Sequence, residues 1–189
     1  FLKELMTPND KSIVVFFNHE VFEDTDFSND INELSNSISM AFPFGATALY
    51  DAVGYCLKLL NGMSGLNIMI ILSDGEDNSS YLDPFTLIKK AERSNTMIYA
   101  IAQGGVSSGN EYQEILNKLT TSSGGMLFMM EDPQEIKKIY ELIRRDIKAE
   151  YVLEFSPSKN GKTKRYRRIT VKLKSGKKYS IRTLKGYYY

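Results

Sequence analysis

The stretch Asn67–Asn78 reads N-I-M-I-I-L-S-D-G-E-D-N. Its five apolar residues in a row, Ile68 to Leu72, do not alternate with polar ones. A strand with one wet face alternates with period two. An unbroken run is therefore the pattern of a strand covered on both faces, as the central strands of parallel α/β sheets are. The run ends abruptly at Ser73-Asp74-Gly75, which predicts a carboxylate at the carboxyl end of a central strand. That is the edge at which open α/β sheets hold their ligands. Glu76, Asp77 and Asn78 add oxygen atoms behind it, and oxygen-rich loops suit hard cations such as Mg²⁺. Asp-Gly and Asn also favour turns on their own account, so the stretch alone reads equally as a metal loop and as a plain polar turn.

Outward from this run the pattern alternates. Upstream, Phe1–Met6 reads as the last turns of an amphipathic helix that lacks a capping residue of its own, so the chain begins mid-helix. Ser12–Asn18 is rich in β-branched and aromatic residues and predicts a strand, with a short partner at Glu20–Glu23. Ser28 is placed to cap a helix running to about Met40, with Ile31, Leu34 and Ile38 on one face. Ala48–Leu60 predicts a second helix, with Leu49, Val53, Cys56, Leu57 and Leu60 sharing a face and Asn61-Gly62 ending it. Downstream, Asp83-Pro84 starts a helix that carries Phe85, Ile88 and Ala91 inward. Met97–Ala102 is another buried strand, Glu111–Thr121 a helix, and Met126–Met130 a short strand. Asp132-Pro133 opens a last helix to Lys148, with Ile136, Ile139, Tyr140, Ile143 and Ile147 inward. This alternation predicts an α/β fold, a Rossmann-like doubly wound and mostly parallel sheet with helices on both faces.

The texture then changes. Tyr151–Phe155, Arg167–Lys174 and Lys177–Thr183 read as strands, the last two joined by a hairpin at Ser175-Gly176. The expected division is an α/β domain over 1–149 and a small antiparallel extension over 150–189. From Ser156 to Tyr189 there are 12 Lys and Arg and no acidic residue, so all 23 acidic residues face only 12 basic ones in the rest of the chain. Such asymmetry marks either a basic arm for nucleic acid or membrane, or a segment whose charges point outward from a packed sheet. Along Arg168–Lys174 apolar residues alternate with polar ones, which favours the packed sheet over a nucleic-acid surface.

Composition excludes much. The chain is long enough to bury a core without staples. No apolar run approaches the length of a membrane span. The single Cys56 lies on an apolar helix face and reads as a structural thiol. His19 has no second histidine with which to form a metal or catalytic pair. No Ser-His-Asp set, Cys-His set or phosphate-cradling G-x-x-x-x-G-K-S/T is present, so no sequence feature calls for an enzyme.

Two loops now matter together. Phe44-Gly45-Ala46-Thr47-Ala48-Leu49-Tyr50-Asp51-Ala52 precedes the second helix, and Ser73-Asp74-Gly75-Glu76-Asp77 follows the apolar strand. In this order and spacing they resemble the second and third motifs of the von Willebrand factor A domain. Ile98–Ala102 resembles the core strand that follows, and Thr120–Met126, with its S-G-G-M, resembles the turn before the last strand. Glu150–Pro157, Tyr166–Val171 and Thr183–Tyr188, with Arg182 and Gly186 in an Arg-x-x-x-Gly-Tyr-Tyr ending, resemble the β extension of a bacterial subfamily. The resemblance implies a metal-ion-dependent adhesion site in which Thr47 and Asp74 hold Mg²⁺. It implies that Gly45 and Gly75 let the loops approach the ion and that Asp51 braces the helix start. It also implies an open coordination position for an acidic residue of a protein partner.

The family's first-strand motif, D-x-S-x-S, has no counterpart in the 189 residues. The nearest imitation, Asp24-Thr25-Asp26-Phe27-Ser28, follows the first strand instead of lying within it. The expectation is that an upstream segment or another chain supplies that strand. The function so implied is a non-enzymatic protein-binding module of adhesion or assembly, extracytoplasmic by family habit and without a membrane span. Two alternatives stand beside it. One is a Mg²⁺-dependent phosphoryl-transfer enzyme using Asp74, which would need a nucleophilic aspartate on another strand end. The other is a structural assembly subunit with no active metal site, working through the basic tail and its tyrosines.

Overall fold

A computed structural model describes residues 1–42, 44–73, 76–103, 111–149, 151, 153, 166–174, 181–183 and 186–188. Chain order gives α1 (Leu2–Leu5), β1 (Val15–Phe17), β2 (Val21–Glu23), α2 (Ile31–Ser39), α3 (Leu49–Leu60), β3 (Asn67–Ser73) and α4 (Pro84–Arg93). β4 (Thr96–Gln103), α5 (Glu111–Ser122), β5 (Met126–Met130), a 3-10 turn (Pro133–Glu135), α6 (Ile136–Lys148), β6 (Tyr166–Arg168) and β7 (Gly186–Tyr188) follow. β3, β4 and β5 form a parallel sheet in that order, with Asn67 opposite Thr96 and Tyr99 opposite Met126. β1 and β2 pair antiparallel in a separate ribbon.

Helices cover both faces of the sheet, as the alternation requires. On one face α3, α4 and α5 bury Leu49, Val53, Leu87 and Leu116 against Met69, Ile71, Ile98 and Ala100. On the other, α6 buries Ile139 and Ile143 against Tyr99, Ile101 and Met130. α1 joins this second layer, with Phe1 stacked on Tyr140 at 4.3 Å and Glu4 paired to Arg144 at 3.4 Å.

The centre of the described sheet is β4, not the Ile68–Leu72 run. Ile98 to Ala102 are all buried, because strands lie on both sides and helices on both faces. β3 has a strand partner only at β4 among the described residues. Its side chains alternate in burial, one face being covered more fully than the other. Met69 and Ile71 are buried, Ile68 and Ile70 are half-buried, and Leu72 is 55 % exposed. The expected strand over Ser12–Asn18 is likewise shorter, with only Val15–Phe17 paired and Ser12 bridged singly to Ser28.

Helix boundaries follow their caps. Asp83 accepts a hydrogen bond from Thr86 N–H with Pro84 at the first helical position, as the sequence predicts. Hydrogen bonding from Thr86, first through its side-chain hydroxyl and then through its N–H, holds the Asp83 carboxyl below its ordinary pKa. Asp132 and Glu135 close a capping box ahead of α6. α2 is capped by Asp30, which accepts from Asn32 and Glu33 N–H, and Ser28 instead accepts from Asp30 N–H. Phe85, expected inward, is 65 % exposed beneath the Lys89 ammonium, and Leu87 takes the buried position. Among the described residues of the extension Tyr166–Arg168 pairs with Gly186–Tyr188, whereas residues 169–174, expected as a strand, are not one and Leu173 is exposed. Tyr151 and Leu153 are exposed, while the predicted hairpin at Ser175-Gly176 lies outside the described residues. Arg182 pairs with Asp146, whose other oxygen accepts from the Tyr99 hydroxyl at 2.7 Å, and this ties the extension to α6 and β4.

Two positions yield measurable consequences. A methyl group on Gly125 would overlap the carbonyl oxygen of Ile98, so the turn before β5 must lie against bare β4 backbone. Gly125→Ala should destabilise the fold by about 1–3 kcal/mol in urea unfolding, the usual cost of overpacking. The Cys56 thiol is pushed up to about 11, first by burial and then by the Glu23 carboxylate. Because this folded-state value lies above the unfolded one of about 8.5, the stability it contributes is complete below about pH 8. It is lost as pH rises toward about 11. Cys56→Ala should flatten that part of the stability–pH profile.

Candidate functional site

In a parallel sheet every strand ends at the same edge. The chain leaves β3 at Ser73 on this edge, and its next described stretch returns over the start of α3. The reason lies in α3 itself. The first N–H groups of any helix lack intrahelical partners, and here the capping position is Ala48, which has no side chain to offer. The partners come from residues 77–80. Asp77 Oδ2 accepts from Tyr50 N–H at 2.8 Å, and Ser80 Oγ accepts from Asp51 N–H at 3.0 Å. Ser80 Oγ donates in turn to Asp77 Oδ2 at 2.6 Å, so the two caps hold each other.

The same loop grips Thr47 by its backbone. Thr47 N–H donates to Asn78 Oδ1 at 2.8 Å, and the Thr47 carbonyl accepts from Asn78 and Ser79 N–H at 3.0 and 3.2 Å. Asp51 completes the exchange by accepting from Tyr81 and Leu82 N–H at 2.9 Å each. Ala48 N–H donates to the carbonyl of Asn18, which ends the β1 side of the ribbon at the same place. Two carboxylates, Asp77 and Asp51, thus lie at the positive end of the α3 dipole, where negative charge is stabilised. Burial and then the Asp77 carboxylate push the Tyr50 hydroxyl up to about 12.

Of the five residues singled out by sequence, three are described. Thr47 is half-buried, its backbone fully engaged and its hydroxyl without a hydrogen bond among the described residues. Gly45 is exposed with φ +81°, the left-handed region that side chains resist. Asp51 holds the loop through its two N–H contacts. Asp74 and Gly75 lie outside the described residues. Among the described residues no three His, Cys, Asp or Glu side chains converge. His19 is exposed and lies beside Gly45.

The sequence names Asp77 and Asn78 only as oxygens of a metal loop or a polar turn, not as partners of α3, and it does not single out Ser80. The signal was present. A helix opening with Ala48 and no cap of its own needs donors' partners from elsewhere, and D-N-S-S supplies them. Around the brace, Tyr81 is 100 % exposed and Phe42 and Phe44 stand largely exposed on the segment leading to Thr47. Exposed aromatic side chains thus flank these residues along the chain.

Asp77→Ala removes a helix cap and a partner of Ser80 together, and it should cost about 1–2 kcal/mol in urea unfolding. Ser80→Ala should cost less, since Asp77 can still accept from Tyr50 N–H.

A family model described as von Willebrand factor type A domain matches residues 3–142. The conserved hypothetical protein BatB from Bacteroides thetaiotaomicron has a similar structure, with TM-score 0.60, 14 % identity, and coverage of 79 % of this chain and 83 % of that one. An aerotolerance-related membrane protein from Bacteroides fragilis NCTC 9343, with multiple mutations to serines, gives TM-score 0.55 at 13 % identity, covering 77 % and 85 %. The von Willebrand factor type A structure from Catenulispora acidiphila gives 0.59 at 15 %, covering 76 % of this chain and 34 % of that one. At these identities the likeness is one of fold. A search of curated proteins found no match.

Proposed function

The chain belongs to the von Willebrand factor type A family, and we propose that it is a non-enzymatic protein-binding module of adhesion or assembly that captures its partner at the carboxyl edge of the sheet. The observation that carries this reading is the brace: residues 77–82 fix Thr47 and the start of α3 through reciprocal hydrogen bonds. A binding edge made of loops gains affinity when those loops are already ordered.

In this reading Mg²⁺ sits at the edge, held by the Thr47 hydroxyl and the Asp74 carboxylate. The donor set fits a hard cation, because the contacts of Thr47 run through its backbone and its hydroxyl has no hydrogen bond among the described residues. Bound there, the ion would supply a Lewis-acidic position for a carboxylate of the partner. Gly45 and Gly75 let the loops come close, and Asp51 keeps the helix start in register. Mg²⁺ takes six oxygens and usually keeps several waters, so two side chains of this chain are compatible with a site completed by water and by the partner. The exposed Tyr81, Phe42 and Phe44 would pack around that contact. Residues 1–149 form the capturing domain in this scheme, and the basic 150–189 extension adds contact surface.

An extracytoplasmic place suits an adhesion module, and one structure of similar fold is of an aerotolerance-related membrane protein. No helix among the described residues is long and apolar enough to cross a membrane.

Calorimetric titration with Mg²⁺ and Mn²⁺ tests the metal. Saturable heat that Thr47→Ala and Asp74→Ala each abolish is the expected result. No heat from any version would transfer the function to metal-free assembly.

A further inference from the structure

α6 ends in positive charge that its own layer only partly answers. Its inward face carries Ile139 and Ile143. Its outer face opens a groove of about 480 Å³ lined by Lys138, Arg144, Arg145 and Lys148, with Glu141 the one carboxylate of the lining among the described residues. Glu4 takes Arg144. Lys138, Arg145 and Lys148 make no ion pair among the described residues. Arg182 of the extension is held by Asp146, the neighbour of Arg145, so the charge of the extension joins that of the groove. Over Ser156–Tyr189 that charge is 12 basic residues and no acidic one.

A packed sheet would have turned the apolar side chains of this segment inward. Instead, residues 169–174 are not a strand, and Leu173 and Ile181 are exposed beside Lys172, Lys174 and Arg182. Tyr151 and Leu153, three and five residues beyond Lys148, are 87 % and 69 % exposed. Cations and large apolar side chains thus stand side by side. Cations alone suit any polyanion. Leu and Ile gain nothing from a phosphate backbone, but they gain by leaving water for acyl chains, and Tyr settles at the headgroup level. We propose that the end of α6 and the extension seat the protein on an anionic lipid surface. Lys and Arg meet the headgroups, and Tyr151 and Leu153 enter the interface.

The fold orients that contact. α6 follows β5, so it starts at the carboxyl edge of the sheet and ends at the opposite one, 13 residues on. At 1.5 Å per residue that is about 20 Å. A protein seated on its basic end therefore turns the Thr47 edge away from the lipid. The acidic loops of a second copy would also match the charge, since residues 59–88 hold acidic residues and no Lys or Arg. Docking there would cover the edge that captures the partner. This last choice rests on the capture reading, whereas the charge and the exposed side chains do not.

Cosedimentation of the chain with lipid vesicles tests the proposal. It is run in chelator, so its outcome is independent of the Mg²⁺ titration. The probes are phosphatidylcholine vesicles with and without about a third phosphatidylglycerol. Binding to the anionic vesicles should be tighter by about tenfold or more and should weaken as salt rises. Arg145→Glu with Lys148→Glu should weaken it by about tenfold or more. Tyr151→Ser with Leu153→Ser, which alters no helix, should weaken vesicle binding by about tenfold while leaving retention on double-stranded DNA unchanged. Equal binding to both kinds of vesicle, or binding to neither, would overturn the proposal. So would vesicle binding indifferent to the serine pair, which would make the surface a general polyanion site. Self-association that the charge reversal abolishes, without vesicle binding, would assign the surface to a second copy.

Discussion

The first N–H groups of α3 have no partner within their own helix, and the arrangement of the whole carboxyl edge depends on where they find one. Ala48 cannot cap them. Asp77 and Ser80 do so from the far side of β3, and in doing so they place residues 77–82 against the Thr47 turn. The exchange is reciprocal, since Asp51 on α3 accepts from Tyr81 and Leu82. A cap supplied by the helix itself would leave the two loops independent. A cap supplied across the sheet edge makes them one unit, which is what a site built from both requires.

The sheet below sets that edge. β4 is buried on both faces and paired on both sides, and its parallel neighbours bring their ends to one level. Gly125 allows the turn before β5 to lie on the backbone of β4, with Ser123 Oγ accepting from Ile98 N–H at 3.0 Å. Apolar burial supplies the driving force, at roughly 25 cal/mol per Å² removed from water. Backbone pairing decides which arrangement that force can reach, because a dry N–H or C=O without a partner costs about 1–3 kcal/mol.

Periodicity made most of the fold legible. The apolar face of α3, the Asp83-Pro84 start of α4 and the Met126–Met130 strand stand where the residues predict them. The unbroken Ile68–Leu72 run predicted a central strand, yet β4 holds that place among the described residues. An apolar run reports hydrophobicity on both faces, and it carries no information about which edges are paired. Phe85 shows a similar limit. Its size suggests burial, but on α4 the inward positions fall to Leu87 and Ala91, and Phe85 packs under Lys89 instead. At the site, the motif residues Thr47 and Asp51 were legible by type. The caps Asp77, Asn78 and Ser80 were not, because their role depends on contacts across some 30 positions of sequence.

Residue-resolved amide exchange at the start of α3 tests this account most directly. Capped across the edge, the Tyr50 and Asp51 amides should exchange as slowly as those of the middle of α3. Asp77→Ala should speed Tyr50 selectively, with the β4 amides unchanged. Tyr50 and Asp51 amides that exchange in the wild-type chain as fast as those of an uncapped first turn would contradict it.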